Sequence, residues 1–598
     1  MKTNPNFLPI TATEMKSRGW EELDILFISG DAYVDHPAFG IPLLARMLEQ
    51  EGFRVGIIPQ PDWKDPDAFK VMGRPRLFAA VSTGAMDSMV NHYTAAKKVR
   101  NNDAYTPGGR AGARPNRGLI AYTAALKNAF PGIFVVIGGI EASLRSLAHY
   151  DYWDKRVRRS ILVDSKADLL VYGMGEHPLL EFAGRARSGE PLPAINDIRG
   201  TAIITKKPPK ESVLLPSFEE VENDKDAYNR AFRLTVEGTA RGLSLVQEHG
   251  SRRVMVNPQA TPLSEKEMDA LYDLPFQKLP HPSYKEPIPA YEQIRFSITS
   301  HRGCFGGCAF CAIASHQGKT IQSRSEGSIV REIAKLTRHP EFRGTVTDVG
   351  GPTANMYGLS CTGNKFSKGC DKSSCLFPTP CSNLKASGGK GAALLKKIRR
   401  IAGVKHVFVA SGVRYDLLEK QPEYLNELLS HHVGGLLKVA PETLSAEVAR
   451  VMRKPGPDCF DRFLKLFREK SRKLNLRQAV VPYLISGHPG CTLSHMVDTA
   501  IFLKRNNLRV EQVQEFTPTP GTLATCIYYT GKDPFSGEKV HVPTSDLEKR
   551  LQKSLLLWHV PENRADIRKA LKLCGRESDT EVVLGKDPKG RKGIKRKS

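Results

Sequence analysis

Over the first third of the chain, short continuous apolar runs alternate with amphipathic stretches. LDILFIS (Leu23–Ser29), FRVGIIP, RLFAAVS, GIFVVIGG and ADLLVYG read as strands. Between them, Ile41–Glu51 and the stretch around Leu119–Ala129 repeat their apolar residues at helical spacing. Strands that are apolar throughout, separated by helices, predict a parallel sheet covered on both faces. Glycines close several of these strands (Gly30, Gly138, Gly139, Gly173, Gly175), at the ends where such sheets bind ligands. The loop Asn101–Arg117, rich in Gly, Pro and Arg, reads as solvated, with an anion-binding role as its alternative.

From 211 to 290 the periodicity fades and proline becomes dense. NPQATPL (Asn257–Leu263) and LPHPSYKEPIPAYEQ predict an extended linker, interrupted by a helix over Ser264–Tyr272. A second alternation begins at Gln293. Its strands are IRFSIT (294–299), TVTDV (345–349), HVFVAS (406–411), GLLKVA (435–440), VVPYLI (480–485) and VQEFT (513–517), with helices between them. Six such β–α units predict a partial (β/α)6 barrel, whose chemistry sits at the C-terminal ends of its strands. After Thr530, Ser545 and Glu548 form a capping-box pattern at the head of LEKRLQKSLLLWHV, and a further helix follows to Leu573. The expected organisation is an N-terminal doubly wound domain over 1–210, a linker over 211–290, and a barrel over 291–530 with a cysteine-rich insertion at 352–389. A helical extension over 531–575 and a disordered basic tail over 576–598 complete it.

At 598 residues the chain exceeds one core. Its 40% hydrophobic and 25% charged residues are ordinary for a globular protein. No apolar run approaches a membrane span, and MKTNPNFLPI lacks the pattern of a secretory signal, so a cytoplasmic location is expected. The formal charge is +25, of which Lys586–Ser598 carries +6. The excess is compatible with a nucleic-acid partner and equally with a generally basic surface. Eleven cysteines, clustered rather than scattered, read as metal ligands rather than disulfides.

The first cluster lies in HRGCFGGCAFC, after the first barrel strand. Cys304, Cys308 and Cys311 are spaced C-x-x-x-C-x-x-C, among Gly303, Gly306 and Gly307. Thiolates hold iron–sulfur clusters, and three of them on a four-iron cluster leave one iron open for chemistry. The other strand ends carry Gly350-Gly351-Pro352-Thr353, Ser411-Gly412-Val413-Arg414, Pro441-Glu442, Ser486-Gly487-His488-Pro489 and Pro518-Thr519-Pro520-Gly521. Arg414 offers a planar fork for carboxylate, with a structural salt bridge as its alternative. Glu442 and His488 read as substrate-binding or proton-shuttling groups, or equally as hydrogen-bonded structural ones.

The cysteine spacing, with an aromatic before the last thiol, resembles the signature of the radical S-adenosylmethionine enzymes. RGCFGGCAFC, DVGGPTANMYG, ASGVRYDL, LKVAPE, YLISGHPG and VQEFTPTPGTLATCIYYT together resemble the YgiQ-type, UPF0313-like family of that superfamily, over the chain to about residue 575. The resemblance implies a 4Fe-4S cluster on Cys304, Cys308 and Cys311 that cleaves S-adenosylmethionine reductively to a 5′-deoxyadenosyl radical. It implies that Phe310 lies near the adenine, Gly350 and Gly351 near the methionine amino group, and Ser411 and Arg414 near ribose and carboxylate. A one-electron donor such as flavodoxin or ferredoxin is implied as well; an RNA, protein or metabolite substrate stays open. GIPLLARMLEQEGFRV, FVVIGGIEAS and ADLLVYGMGE resemble the cobalamin-binding-type domain that precedes many such cores. Members that coordinate cobalt through histidine carry D-x-H-x-x-G, whereas this chain has Asp35-His36-Pro37-Ala38-Phe39-Gly40, which weighs against cobalamin.

A second group, Cys361, Cys370, Cys375 and Cys381, falls in a polar stretch too short for its own core. Four thiolates there fit zinc or an auxiliary iron–sulfur cluster, with free thiols as the alternative. Cys459, Cys491, Cys526 and Cys574 are dispersed and read as core residues. Two other functions compete with the enzymatic one: an iron–sulfur electron carrier, and a metal-stapled nucleic-acid-binding protein.

Overall fold

The computed structural model describes residues 6–363, 370 and 372–585. The N-terminal half is built on one nine-stranded sheet. Its strands are β1 (Ile25–Ser29), β2 (Val55–Pro59), β3 (Phe78–Ser82), β4 (Val135–Gly138), β5 (Leu169–Val171), β6 (Thr201–Ile204), β7 (Val213–Leu214), β8 (Leu245–His249) and β9 (Arg252–Val256). They lie in the order β2-β1-β3-β4-β5-β6-β9-β8-β7. The first five are parallel, with the order reversing between β1 and β3. Both faces of β1 are covered: Ile25 and Phe27 pack with the helices Gly40–Gln50 and Glu176–Arg187, while Leu26 and Ile28 pack with Gly118–Ala129. Burial on both faces is why the strand reads as a continuous apolar run.

The segment 211–290 is not a linker. It adds β7 and the antiparallel hairpin β8–β9 to the same sheet, together with the long helix Lys225–Ala240. Edge position explains the misreading: Arg252 and Arg253 face solvent on the outer part of the hairpin, which dilutes its apolar signal. The helix Glu265–Tyr272 opens on a capping box between Ser264 and Glu267.

The second half carries six parallel strand positions: β10 (Ser297–Thr299), then β11 (Thr345–Val346) with its continuation β12 (Asp348–Gly350), β13 (His406–Val407), β14 (Leu436–Glu442), β15 (Ala479–Ser486) and β16 (Val513–Glu515). β10 pairs with β12, β11 with β13, and β14, β15 and β16 with one another in order. A parallel bridge between Val413 and Val439 joins the third position to the fourth. The helices between them surround a single apolar core. Together these make an α/β chain with a doubly wound N-terminal unit and an open six-position barrel.

Two C-terminal expectations change. Ser545 makes no side-chain cap on the helix Asp546–Leu556, and Glu548 is turned to His541, at 2.8 Å from its Nε2. Residues 576–585 are ordered: the helix Thr580–Leu584 buries Val583, and Arg576 pairs with Asp579 and Asp498. The rest of the expected tail lies outside the described residues. Among the described residues no helix is long and apolar enough to cross a membrane.

Candidate functional site

The cysteine loop leaves β10 through a short antiparallel pairing of His301–Arg302 with Gln322–Ser323, which fixes its base. Three further regions hold it by hydrogen bonds to its backbone. The Ala309 N–H donates to the Met452 carbonyl at 2.9 Å, and its carbonyl accepts from Ala524 at 2.8 Å. The Cys375 N–H donates to Phe305 at 3.0 Å, and the Ser374 hydroxyl donates to the Gly306 carbonyl at 2.7 Å. Gly307 has φ +63°, and a Cβ there would stand 2.5 Å from the Ser373 carbonyl oxygen. Only glycine lets the two chains meet this closely.

Cys304, Cys308 and Cys311 are free, half-buried thiols. Burial pushes the Cys304 thiol up, and pushes Cys311 up to about 12 with help from the neighbouring Cys308. One cation opposes this: Arg414 Nη1 lies 3.5 Å from Cys308 Sγ. The other two arms of its fork are taken by Asp416, at 3.0 and 2.7 Å, so the carboxylate expected for Arg414 is already present within the chain. Among the described residues no three His, Cys, Asp or Glu side chains converge as a single metal ion requires.

The strand ends do meet around this loop. A Cβ on Gly350 would lie 2.5 Å from Ser411 Oγ, so the second and third strand ends touch there. Asp348 ties them further, accepting from the Ala410 and Ser411 amides at 2.8 and 2.9 Å and from the Ser411 hydroxyl. Ser411 therefore offers an incoming group its lone pairs rather than its proton. A Cβ on Gly351 would fall 2.6 Å from the His301 carbonyl oxygen, a packing that only glycine allows. Phe310 stands edge-on to His488 at 5.9 Å, and His488 edge-on to Phe516 at 5.0 Å.

His488 is fully buried and donates from Nδ1 to its neighbour's carbonyl, Pro489, at 2.7 Å. Burial pushes its pKa down to about 4, so the ring is neutral and its unpartnered Nε2 is an acceptor. Glu442 has φ +68° where β14 departs from regular register. A left-handed glutamate at a strand end is strained backbone of the kind that clusters at functional sites. Burial raises its carboxyl, against the pull of Lys454 and Arg414, and its charge acts on Cys311.

The N-terminal domain closes over this loop. Glu176 and Arg302 form a buried ion pair, and Arg302 also reaches the Tyr272 hydroxyl at 3.3 Å. Ser143 Oγ lies 3.0 Å from His316 Nδ1 on the helix Ile313–Gln317 that follows the cysteines. The ligand crevice expected beside the strand-order reversal is filled by the chain itself. Arg114, fully buried, donates to the Thr83 carbonyl and pairs with Asp31 at 2.8 Å and Asp103 at 3.2 Å. Asn101–Arg117 is thus partly an internal plug rather than a solvated loop. Two of the Arg114 partners, Asp31 and the Thr83 carbonyl, lie outside the loop, which is why composition alone misread it. His36 is buried too, its Nδ1 accepting from the Ala38 N–H at 3.1 Å.

His301 is a residue the sequence did not flag. It is completely buried behind Gly351 with Nε2 unpartnered, and burial holds its pKa down at about 4. Of the second cysteine group, Cys375 is buried and the other three half-buried, and Cys375 shares a small apolar cluster with Phe305, Cys304 and Cys381. Cys491 and Cys526 are buried elsewhere in the core, and Cys459 and Cys574 pack at its edge.

Comparison with known proteins places these features. Residues 7–297 match the Radical SAM N-terminal family model, which runs through the segment 211–290. Residues 298–503 match the Radical SAM superfamily, and 511–585 a domain of unknown function, DUF3362. A UPF0313 protein of Geobacter sulfurreducens is 60% identical over 585 residues, covering 97% of this chain and 97% of its own. One from Methanocella arvoryzae is 48% identical, covering 94% of each. Among solved structures, the radical S-adenosylmethionine methyltransferase TsrM of Kitasatospora setae, with cobalamin and a [4Fe-4S] cluster bound, superposes with TM-score 0.48 and 13% identity over 91% of this chain and 88% of that one. The apo cobalamin-dependent radical enzyme OxsB gives TM-score 0.49 and 9% identity over 96% of this chain and 79% of that one.

Proposed function

This chain belongs to the UPF0313 family of radical S-adenosylmethionine enzymes, and from that premise we propose that Cys304, Cys308 and Cys311 hold its 4Fe-4S cluster. The donor set supports this: three thiols on one glycine-rich loop, with a buried guanidinium 3.5 Å from one sulfur. That contact is the observation that carries the reading. A cation beside the thiols favours thiolate, the form that ligates iron. Burial of Cys304 and Cys311 makes the same demand, since these thiols ionise only when positive charge is brought to them.

When bound, the cluster supplies the electron for reductive cleavage of S-adenosylmethionine, giving a 5′-deoxyadenosyl radical that takes hydrogen from a substrate. The chain's own residues prepare the surroundings. Phe310 offers an aromatic wall beside the third cysteine, and Ser411, its proton given to Asp348, is an acceptor for a hydroxyl. Neutral His488 and raised Glu442 offer an acceptor and an acid at the same mouth. The helix after the cysteines is tied to the N-terminal domain by the Ser143–His316 contact. The electron comes from a one-electron protein donor of the flavodoxin or ferredoxin kind.

For cobalamin the residues argue otherwise. His36 is turned inward, and Arg114, Asp31 and Asp103 fill the switch-point crevice, so no step is assigned to it. The test of the proposal is spectroscopic. Anaerobically reconstituted protein, reduced with dithionite, should give the EPR signal of a reduced 4Fe-4S cluster that changes when S-adenosylmethionine is added. A cluster signal indifferent to S-adenosylmethionine would overturn the reading.

A further inference from the structure

Between β12 and β13 the chain leaves the barrel as a polar excursion carrying Cys361, Cys370, Cys375 and Cys381. Its two ends are fastened by a short antiparallel pairing in which Cys361 faces Leu384. Within it the Cys381 N–H donates to the Cys375 carbonyl at 2.8 Å, folding that stretch back on itself. The Cys375 and Cys381 side chains also pack in one apolar cluster. Two lysines attend them. Lys319 Nζ donates to the Cys370 and Lys372 carbonyls at 2.8 and 2.9 Å, and Lys372 Nζ lies 3.6 Å from Cys381 Sγ. The described apolar residues of this excursion, Leu376 and Leu384 among them, pack onto Phe305, Met356 and Leu417 of the barrel rather than forming a core of their own, and a unit so small ordinarily needs a staple.

We infer that Cys361, Cys370, Cys375 and Cys381 bind a second, thiophilic metal centre as four thiolates, distinct from the one at Cys304, Cys308 and Cys311. Four sulfurs suit a fully protein-ligated iron–sulfur cluster, whose irons are spread over a cube, better than one tetrahedral zinc ion, for which the described side chains do not converge. The thiols give up their protons to solvent on binding, and neighbouring lysines offset part of the negative charge that results. The centre would brace the other cysteine loop directly, because Cys375 and Ser374 donate to the carbonyls of Phe305 and Gly306.

The test removes the first site and counts what is left. The full chain carrying Cys304→Ala, Cys308→Ala and Cys311→Ala is exposed anaerobically to iron and sulfide in one arm and to zinc in the other. It should keep about one zinc or about four iron with four sulfide per chain, and the arms identify the metal. Adding Cys375→Ser and Cys381→Ser should abolish that binding. A folded triple variant that binds neither metal overturns the inference, as does binding that survives the two serines. If the triple variant does not fold, the unmodified chain decides: metal beyond one four-iron cluster supports the second centre, and about four iron without zinc overturns it. No S-adenosylmethionine cleavage enters these counts, so this inference and the proposed function fail separately.

Discussion

Arg414 divides its guanidinium between a carboxylate and a thiol: two nitrogens clamp Asp416, and the third points at Cys308 Sγ from 3.5 Å. Asp416, itself held well ionised by that guanidinium against its burial, fixes the direction of the remaining N–H. The pair places a nearly neutral dipole at the thiols with its positive end forward.

Charge changes in this pair should therefore have opposite signs. Arg414→Gln removes the positive end and should move the loaded cluster's midpoint potential negative by roughly 100 mV, for a unit charge at an effective dielectric near 20. Asp416→Asn removes the negative end and should move it positive. An EPR-monitored redox titration checks both, and shifts of the same sign would mean that the two residues act only through packing.

The pair joining the two halves makes a stability prediction. Glu176 and Arg302 are about 5% and 8% exposed, so neither finds water if the other is removed. Glu176→Ala should cost about 3–5 kcal/mol by leaving a buried guanidinium uncompensated, and adding Arg302→Met should restore part of the loss. Urea midpoints of the two variants read the difference.

Two glycines at positive φ separate strain from space. Gly307 (φ +63°) and Gly318 (φ +81°) both lie in the left-handed region. Gly307 faces Ser373 and Ser374 in the second cysteine segment, whereas nothing stands within 4 Å of a Cβ on Gly318. Gly318→Ala should cost about 1–3 kcal/mol of strain, because its ψ of 171° lies where glycine alone is at ease, and keep full iron loading. Gly307→Ala should in addition push the two cysteine segments apart and lower the iron retained after reconstitution, measured per chain.

Acid should weaken the N-terminal sheet through His249. Its ring is buried against Phe218 with both nitrogens unpartnered, and burial with nearby Arg159 lowers its pKa to about 4. The unfolded chain, whose histidine titrates near 6.5, binds the extra proton first. Stability is then complete above about pH 6.5 and is lost as the pH falls toward 4, by at most about 1.4 kcal/mol per pH unit for this group. His249→Phe should flatten that slope in urea unfolding followed between pH 7 and pH 4.5.

The parts of the fold most legible in the sequence were those buried on two faces. β1, β3 and β15 announce themselves as apolar runs, and their glycine-rich ends mark the barrel mouth. The hairpin β8–β9 escaped because the exposed Arg252 and Arg253 open its second strand, and the tail helix Thr580–Leu584 because it is held by one buried valine and by the Arg576 ion pairs. The site was legible as types and spacing but not as partnerships. Arg414 was visible as a cation near the mouth, yet its contact with Cys308 depends on a loop 106 residues away. His301 was invisible because a lone buried histidine leaves no pattern, and Arg114 because one of its carboxylates, Asp31, lies 83 residues away beyond the end of β1.

The most direct measurement is the formation of 5′-deoxyadenosine from S-adenosylmethionine and dithionite by the anaerobically reconstituted chain, compared with its Cys308→Ala variant. The account predicts product from the first and none above background from the second, with both proteins folded. Equal product from the two, or none from the fully iron-loaded chain, would contradict it.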